Sequence, residues 1–336
     1  MKFKPHYICF FCLALIVTLI FYSGYIPASA QNISKRDAAY WPFATNSPWN
    51  MPIGSKAKFE PVSSPQWTTN ALKYGFLINS TDYTIPVYIA ANSDPIRKVY
   101  RTDNKTQGYV AFQQRVPDAA KPSPGGDAHL AIIDQTHSYV TEMLRAKRRS
   151  DKDIEAPFPN KIDLRGTGIF KDYHGSCAYG GSCIAGLIRK GEIKTGIKHA
   201  LRISITTAVL NKNAPGGKPY VWPANTADDG DGRSYKGTGN VYMGSLLAIP
   251  PNVNIEKIAG AKGTPAYNLA KALQDYGAYV VDRGHLNLYA EPTAKDEVKT
   301  LMYNTSIPKY LQVVVNNSSS SVGGGGKRRR SLAPPV

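Results

Sequence analysis

Short apolar runs separated by turn-forming residues constrain the fold of this chain more than any other feature. The glycine (29), proline (24) and tyrosine (21) content favours strands joined by turns over long helices. Two neighbouring runs flank the turn residues 134–137 and predict a β-hairpin. The sequence therefore predicts a mainly β protein, a β-sandwich or jelly-roll-like single domain, with a small barrel as the alternative. The strand-like runs lie at 84–90, 108–113, 129–134, 138–144 and 241–249.

One segment has a clear helical pattern. Thr264 is a suitable N-cap residue, and Gly277 provides a stop. The pattern predicts a helix over 265–276, followed by another strand, and the whole fold is expected to contain one or two short packed helices. The apolar residues of this helix recur on one face at Leu269, Leu273 and Tyr276.

The N-terminus has the pattern of a secretory leader. Lys2 and Lys4 precede an apolar run at 8–21, and small residues at 28–30 form a cleavage site. This predicts a signal peptide over 1–30 and a mature chain that begins at Gln31. An uncleaved anchor is the alternative, but the run is shorter than the roughly 20 apolar residues that span a bilayer. We expect an extracellular or cell-surface protein with no transmembrane segment after cleavage.

Loss of the leader leaves two cysteines, Cys177 and Cys183. An even pair in an oxidising compartment predicts a local disulfide. The same compartment allows N-glycosylation, for which the chain has six acceptor triplets. They begin at Asn32, Asn79, Asn104, Asn304, Asn316 and Asn317.

Charge and composition divide the mature chain into three parts. Residues 31–69 are Pro-rich and predict an extended arm on a β-rich domain that runs over 31–315, whereas 316–336 predicts a flexible Ser/Gly-rich basic tail. The formal net charge is +17, and +11 remains when the two lysines of the leader and the four cations at 327–330 are set aside. Such a charge favours polysaccharide or anionic cell-surface polymer as partner, and no nucleic acid is expected outside the cell. Solubility alone is the alternative reason for the charge.

Four residues are the predicted catalytic candidates. Asp127 and His129 flank one residue at the start of a strand, where a carboxylate can orient an imidazole that acts as general base. Asp163 and Arg165 have the same spacing, and an arginine can neutralise a uronate carboxylate during β-elimination. Hydrolysis of a neutral glycan would instead need two carboxylates, Asp127 with Asp163 or either with Asp282. Turn capping and loop ion pairs are the structural alternatives.

Other chemistries have weaker sequence support. No cofactor is expected; a structural Ca²⁺ could be bound by Asp228, Asp229 and Asp231, although the EF-hand spacing is lacking. The histidine and cysteine spacings do not match a zinc site, and no phosphate-binding glycine loop is present in the sequence.

Several motifs resemble a family of secreted microbial β-rich proteins. The resemblance spans about 41–290 and implies a single β-rich domain, with no established activity to carry over. It rests on Ser47-Pro-Trp-Asn-Met-Pro-Ile-Gly54, Gly126-Asp-Ala-His-Leu130, Ala185-Gly-Leu-Ile-Arg189, His199-Ala-Leu-Arg202 and Ala272-Leu-Gln-Asp-Tyr-Gly277.

Together these features predict a secreted carbohydrate-active enzyme that cleaves a polysaccharide, as a glycoside hydrolase or a polysaccharide lyase. The alternative is a non-catalytic cell-surface protein that binds glycan or anionic wall polymer through its aromatic and basic side chains.

Overall fold

The computed structural model describes Met1 and residues 35–103, 108–171 and 176–336. The predicted signal peptide therefore lies outside the described residues apart from Met1. The strands are β1 (Phe59–Pro61), β2 (Leu77–Asn79), β3 (Val87–Ile89), β4 (Ile96–Arg101), β5 (Tyr109–Arg115), β6 (Leu130–Ile133), β7 (Tyr139–Met143), β8 (Lys147–Arg148), β9 (Ile154–Ala156), β10 (Asn160–Asp163), β11 (Leu201–Ile205), β12 (Leu246–Ala248), β13 (Ala278–Arg283), β14 (Asn287–Tyr289) and β15 (Gln312–Val314). The α-helices are α1 (Glu192–Thr195), α2 (Ile255–Ala259), α3 (Pro265–Asp275) and α4 (Lys295–Val298).

The strands form three sheets, which confirms the predicted β-rich class. The largest has seven strands in the order β1-β15-β12-β13-β11-β14-β2. Its central strands β11 and β13 are parallel and buried over most of their length. Strands covered on both faces need apolar side chains throughout, which explains the nearly continuous apolar runs in this part of the sequence.

The second sheet, in the order β10-β7-β6-β3, lies between two apolar cores. Leu130 and Ile132 of β6 belong to the smaller core, whereas Ala131 and Ile133 belong to the larger one. This division follows from the two-residue period of a strand. The third sheet, in the order β5-β4-β9-β8, covers the smaller core from the other side through side chains such as Val99.

Local sequence signals explain the β6–β7 hairpin. The two strands pair antiparallel, as predicted, and Asp134 accepts hydrogen bonds from the backbone N–H groups of Ser138 and Tyr139 at 2.8 and 2.7 Å. His137 adopts a left-handed conformation with φ of 56° in the turn. An aspartate that bonds the backbone of its own turn is the signal on which the hairpin prediction rests.

The predicted helix is α3, and its caps are those expected from the sequence. Thr264 accepts a hydrogen bond from the Tyr267 N–H at 3.3 Å, and Gly277 follows the helix with φ of 77°. Leu269 and Leu273 are fully buried and pack the helix on the large core. The four α-helices exceed the one or two predicted, but α3 alone among those described is longer than five residues.

The C-terminal residues 316–336 were predicted to be a flexible tail, and the structure corrects this prediction. They pair with the N-terminal arm: Gly54 N–H donates to Gly323 O at 2.9 Å, and Arg329 N–H donates to Ile53 O at 3.1 Å. The four consecutive glycines 323–326 all have positive φ, between 59° and 82°. The run of glycines is therefore explained by a left-handed backbone in close contact with the arm, and not by flexibility of the segment.

The arm itself is buried where aromatic residues enter the core. Trp49 is 1% exposed, and its ring packs edge-on against Tyr179 and Tyr279 at 5.8 and 5.2 Å between centroids. The described residues from Lys35 to Val336 belong to one compact unit. Among the described residues, no helix has the length and apolar character needed to cross a membrane.

Candidate active site

A cavity of 1060 Å³ lies where the large sheet meets the loops that flank the β6–β7 hairpin. Strands β2, β11, β13 and β14 form one wall, and loop residues complete the lining, at 83–85, 127–129, 144–145, 176–178, 226–230 and 284–285. Its lining contains acids, arginines, histidines and tyrosines side by side. A concave site with convergent polar groups is the usual form of a small-molecule or glycan site.

The sheet register brings Asp282 and Arg202 to the cavity together. Ser204 of β11 pairs with Asp282 of β13, and Arg202 precedes Ser204 by two residues. Because side chains two residues apart share a face of a strand, Arg202 and Asp282 face the same side of the sheet. Both line the cavity, Arg202 buried and Asp282 half-buried.

Asp282 forms a carboxyl pair with Asp228. Burial, and then the negative charge of Asp228, raise the pKa of Asp282 to about 8. Asp228 is hydrogen-bonded to Asp282, and it also accepts a hydrogen bond from the Tyr235 hydroxyl at 2.7 Å. Its other oxygen lies 3.5 Å from Arg283 Nε. Burial raises the pKa of Asp228 as well, but these contacts oppose that shift, so the pair holds its shared proton on Asp282 at neutral pH.

Asp127 supplies a third carboxyl group to the cavity. Burial raises its pKa, and the positive charge of Arg145 opposes that shift. The negative charge of Asp127 also contributes to the raised pKa of Asp282. The cavity thus contains one carboxyl group that holds a proton near neutral pH and a second that faces an arginine and ionises more readily.

Arg202 is a buried cation held by the loop that the Cys177–Cys183 disulfide closes, here called the disulfide loop. Its guanidinium donates to the Cys183 carbonyl, lies 3.3 Å from Cys177 Sγ and stands over the Tyr289 ring at 4.6 Å. The predicted disulfide Cys177–Cys183 is present, with its Cα atoms 5.7 Å apart. The disulfide loop therefore fixes the position of a positive charge that stabilises nearby carboxylates.

His129 lines the same cavity but is 6% exposed. Burial, and then the positive charge of Arg202, lower the pKa of His129 to about 3. The ring is neutral at neutral pH, and Nδ1 has no hydrogen-bond partner among the described residues. A base this weak is poorly matched to proton abstraction near neutral pH. Ala128 also has a positive φ of 38°, so β6 begins only at Leu130 and the expected strand alternation does not extend over 127–129.

The structure separates the four catalytic candidates. Asp127 and His129 line the cavity, whereas Asp163 and Arg165 do not. Asp163 ends β10 and accepts a hydrogen bond from the Arg165 N–H at 2.8 Å, so its carboxylate caps a turn. Arg165 lies at a different cavity of 380 Å³, beside the C-terminal Val336. A single site containing all four residues is therefore not formed.

The three aspartates of the possible calcium site also have other partners. Asp228 belongs to the carboxyl pair, Asp229 lies 2.8 Å from Arg283 Nη1 and Asp231 lies 3.0 Å from Arg233 Nε. Within the described ranges, no group of three or more His, Cys, Asp or Glu residues is arranged to hold a metal ion.

Part of this site follows from the sequence. The sequence predicts Asp282 as a partner for Asp127, because it is a carboxylate at the end of a run that predicts a buried strand. It predicts Asp228 only as a calcium ligand, and Arg145 and Tyr289 carry no sequence signal that marks them. Their roles depend on contacts between segments far apart in the chain.

Comparison of the chain with protein-family models, with curated proteins and with solved structures finds no match.

Proposed function

We propose that the protein is a secreted glycoside hydrolase with its active site in the 1060 Å³ cavity. The observation that carries the proposal is the carboxyl pair, which keeps a proton on half-buried Asp282 at neutral pH. Hydrolysis of a glycosidic bond requires such a proton, because the leaving oxygen must be protonated as the bond breaks. Asp282 is assigned as the general acid.

Asp127 is assigned as the second carboxylate. A glycosidase needs an ionised group opposite its acid, either to attack the anomeric carbon or to activate a water molecule. Asp127 lines the same cavity; burial raises its pKa, and the positive charge of Arg145 opposes that shift and so supports the charged form. Asp228 does not suit this role, since Tyr235 and Arg283 already contact its oxygens. We assign Asp228 as a positioning residue that holds the proton on Asp282.

The elimination chemistry of a polysaccharide lyase has less support. A lyase must remove a carbon-bound proton, and His129, the expected base, has a pKa lowered to about 3. The arginine expected to neutralise a uronate, Arg165, lies outside the cavity. Hydrolysis by two carboxyl groups uses the residues that face the cavity together.

The test compares D282N, D127N and D163N in the full secreted chain. Each protein is incubated with a panel of neutral and acidic polysaccharides while reducing ends and unsaturated-uronate absorbance are followed. We expect new reducing ends without unsaturation, and a loss of rate by about 10²- to 10⁴-fold in D282N, because general acid catalysis contributes that much. D127N is expected to lose rate similarly, whereas D163N, whose side chain caps a turn outside the cavity, stays near the parent rate.

Three results would contradict the proposal. Equal rates in D282N and D163N would remove Asp282 as the acid. Unsaturated products would show elimination. Binding of a polymer from the panel without any cleavage would favour the alternative, a non-catalytic cell-surface protein that binds glycan.

A further inference from the structure

A third cavity, smaller than the candidate active site, has a strongly basic lining. It measures 370 Å³, and we call it the Lys198 groove. The groove differs from the candidate active site in every lining residue. Its cations are Lys194, Lys198, Lys262, Lys271 and Arg330.

These cations come from four separate parts of the chain. Lys194 and Lys198 lie in and after α1, Lys262 precedes α3, and Lys271 lies within α3. The Asn268 side chain ties α3 to α1 by donating to Ile193 O at 2.8 Å. The C-terminal segment adds Arg330. Tertiary structure therefore gathers positive charge that is dispersed in the sequence.

The C-terminal basic cluster contributes to the groove because it is docked. Arg329 donates to Gln274 O at 2.8 Å and stands over the Phe59 ring at 5.3 Å. Arg328 donates to Pro52 O at 3.0 Å. Arg328 and Arg329 thus attach the C-terminal segment to the rest of the fold, and exposed Arg330 lines the groove.

Negative charge in the groove does not balance these cations. Asp275 is the one acid in the lining; it is buried and lies 2.6 Å from Lys271 Nζ and 3.4 Å from Arg330 Nε. Lys194 lies 3.7 Å from Glu297. Among the described residues Lys198 and Lys262 have no ion pair, and both are exposed.

Aromatic side chains in the same groove indicate what kind of anion fits it. Tyr267 is half-buried and lines the groove beside the lysines. A tyrosine ring offers an apolar face to a sugar ring while its hydroxyl stays in a polar environment. Lysine is a compact, mobile charge without the fixed fork of arginine, so it suits carboxylates spaced along a flexible polymer.

We propose that the Lys198 groove binds one strand of an acidic polysaccharide through its uronate carboxylates. Lys198 and Lys262 contact carboxylates, and Tyr267 packs against a sugar ring. This site would hold the protein on an anionic glycan independently of the cavity that contains Asp282. Part of the excess positive charge of the chain then serves glycan binding at this groove, in addition to any effect on solubility.

The test measures binding of the full chain to polygalacturonate by isothermal titration calorimetry at low and high salt. The variant K198E/K262E is compared with K212E/K309E, which has the same net charge but changes exposed lysines outside the groove. We expect about tenfold weaker binding for the groove variant at low salt and less than about twofold for the control. Binding by the parent chain should weaken as salt screens the carboxylates.

Equal losses of polygalacturonate affinity in the two variants would show that only the net charge matters, and this result would overturn the proposal. Tighter groove-dependent binding to duplex DNA, polyphosphate or anionic lipid vesicles than to polygalacturonate would assign a different occupant. The D282N variant separates this proposal from the hydrolase, since it should retain polygalacturonate binding at the groove. Conversely, K198E/K262E should retain turnover of short oligosaccharides in the cavity.

Discussion

At the scale of single residues, the protonation of Asp282 links the proposed chemistry to stability. Its pKa is raised from 3.8 to about 8 in the folded protein by burial and by Asp228. A raised folded-state pKa stabilises the fold at low pH, and this contribution is lost as pH rises from about 4 through 8. Asn at this position imitates the protonated acid and cannot ionise.

We therefore expect the stability of the parent chain to fall between about pH 4 and pH 8 relative to that of D282N. The difference in the free energy of unfolding between the two proteins grows by at most about 1.4 kcal/mol per pH unit. It grows by less if Asp228 and Asp127 also change their protonation over the same pH range. Urea unfolding of both proteins at three pH values measures it. Parallel pH curves for the two proteins would show that Asp282 is already ionised, and D163N is the control for loss of an exposed carboxylate.

At the scale of elements, one carboxylate joins the second sheet to the disulfide loop. Glu142 of β7 is 1% exposed, and burial raises its pKa. It accepts hydrogen bonds from Ser182 Oγ at 2.5 Å, Cys183 N–H at 2.7 Å and Ile184 N–H at 3.0 Å. The same loop holds Arg202 at the cavity. Glu142 therefore orders a wall of the candidate active site without itself lining the cavity.

The substitution Glu142→Gln tests this connection. Gln supplies one acceptor and one donor group in place of two acceptor oxygens, which leaves at least one of the three buried donors unpaired. We expect a loss of about 1–3 kcal/mol in the free energy of unfolding. Thermal and urea denaturation followed by circular dichroism gives the value, with exposed Glu60→Gln as the matched control. Similar stabilities for the two variants would show that the loop does not depend on Glu142.

Elements with a local signal could be predicted, and sites assembled from distant segments could not. The helix α3 follows from Thr264, its apolar stripe and Gly277, all of which act within one segment. The carboxyl pair, in contrast, joins Asp282 on β13 to Asp228 in a loop, and sequence spacing carries no information about that contact. Asp163 and Arg165 have the spacing of a strand face, yet the strand ends at Asp163.

At the scale of the whole molecule, the two ends of the described chain stabilise each other. Arg36 N–H donates to Pro335 O at 2.9 Å, and Lys56 N–H donates to Gly325 O at 3.1 Å. Composition predicts a flexible tail because Ser and Gly runs rarely bury apolar surface. The contacts that order this segment lie about 270 residues away in sequence, at the arm, as the pair Ser55 and Lys327 shows with a separation of 272.

The glycine run provides a test of whether this docking contributes to stability. Gly324 has φ of 81°, and a Cβ there would meet Ala57 Cα at 2.4 Å. Gly216 has a similar φ of 92° but open space around it. We expect Gly216→Ala to cost about 1–2 kcal/mol from backbone conformation alone. Gly324→Ala should cost a further 1–3 kcal/mol or so, because the added methyl group forces the arm and the C-terminal segment apart. Urea unfolding of the two variants measures the difference. If residues 316–336 were undocked in solution, Gly324→Ala would be nearly neutral, since a free segment can avoid both the contact and the left-handed backbone, and Arg330 would then be lost from the Lys198 groove as well.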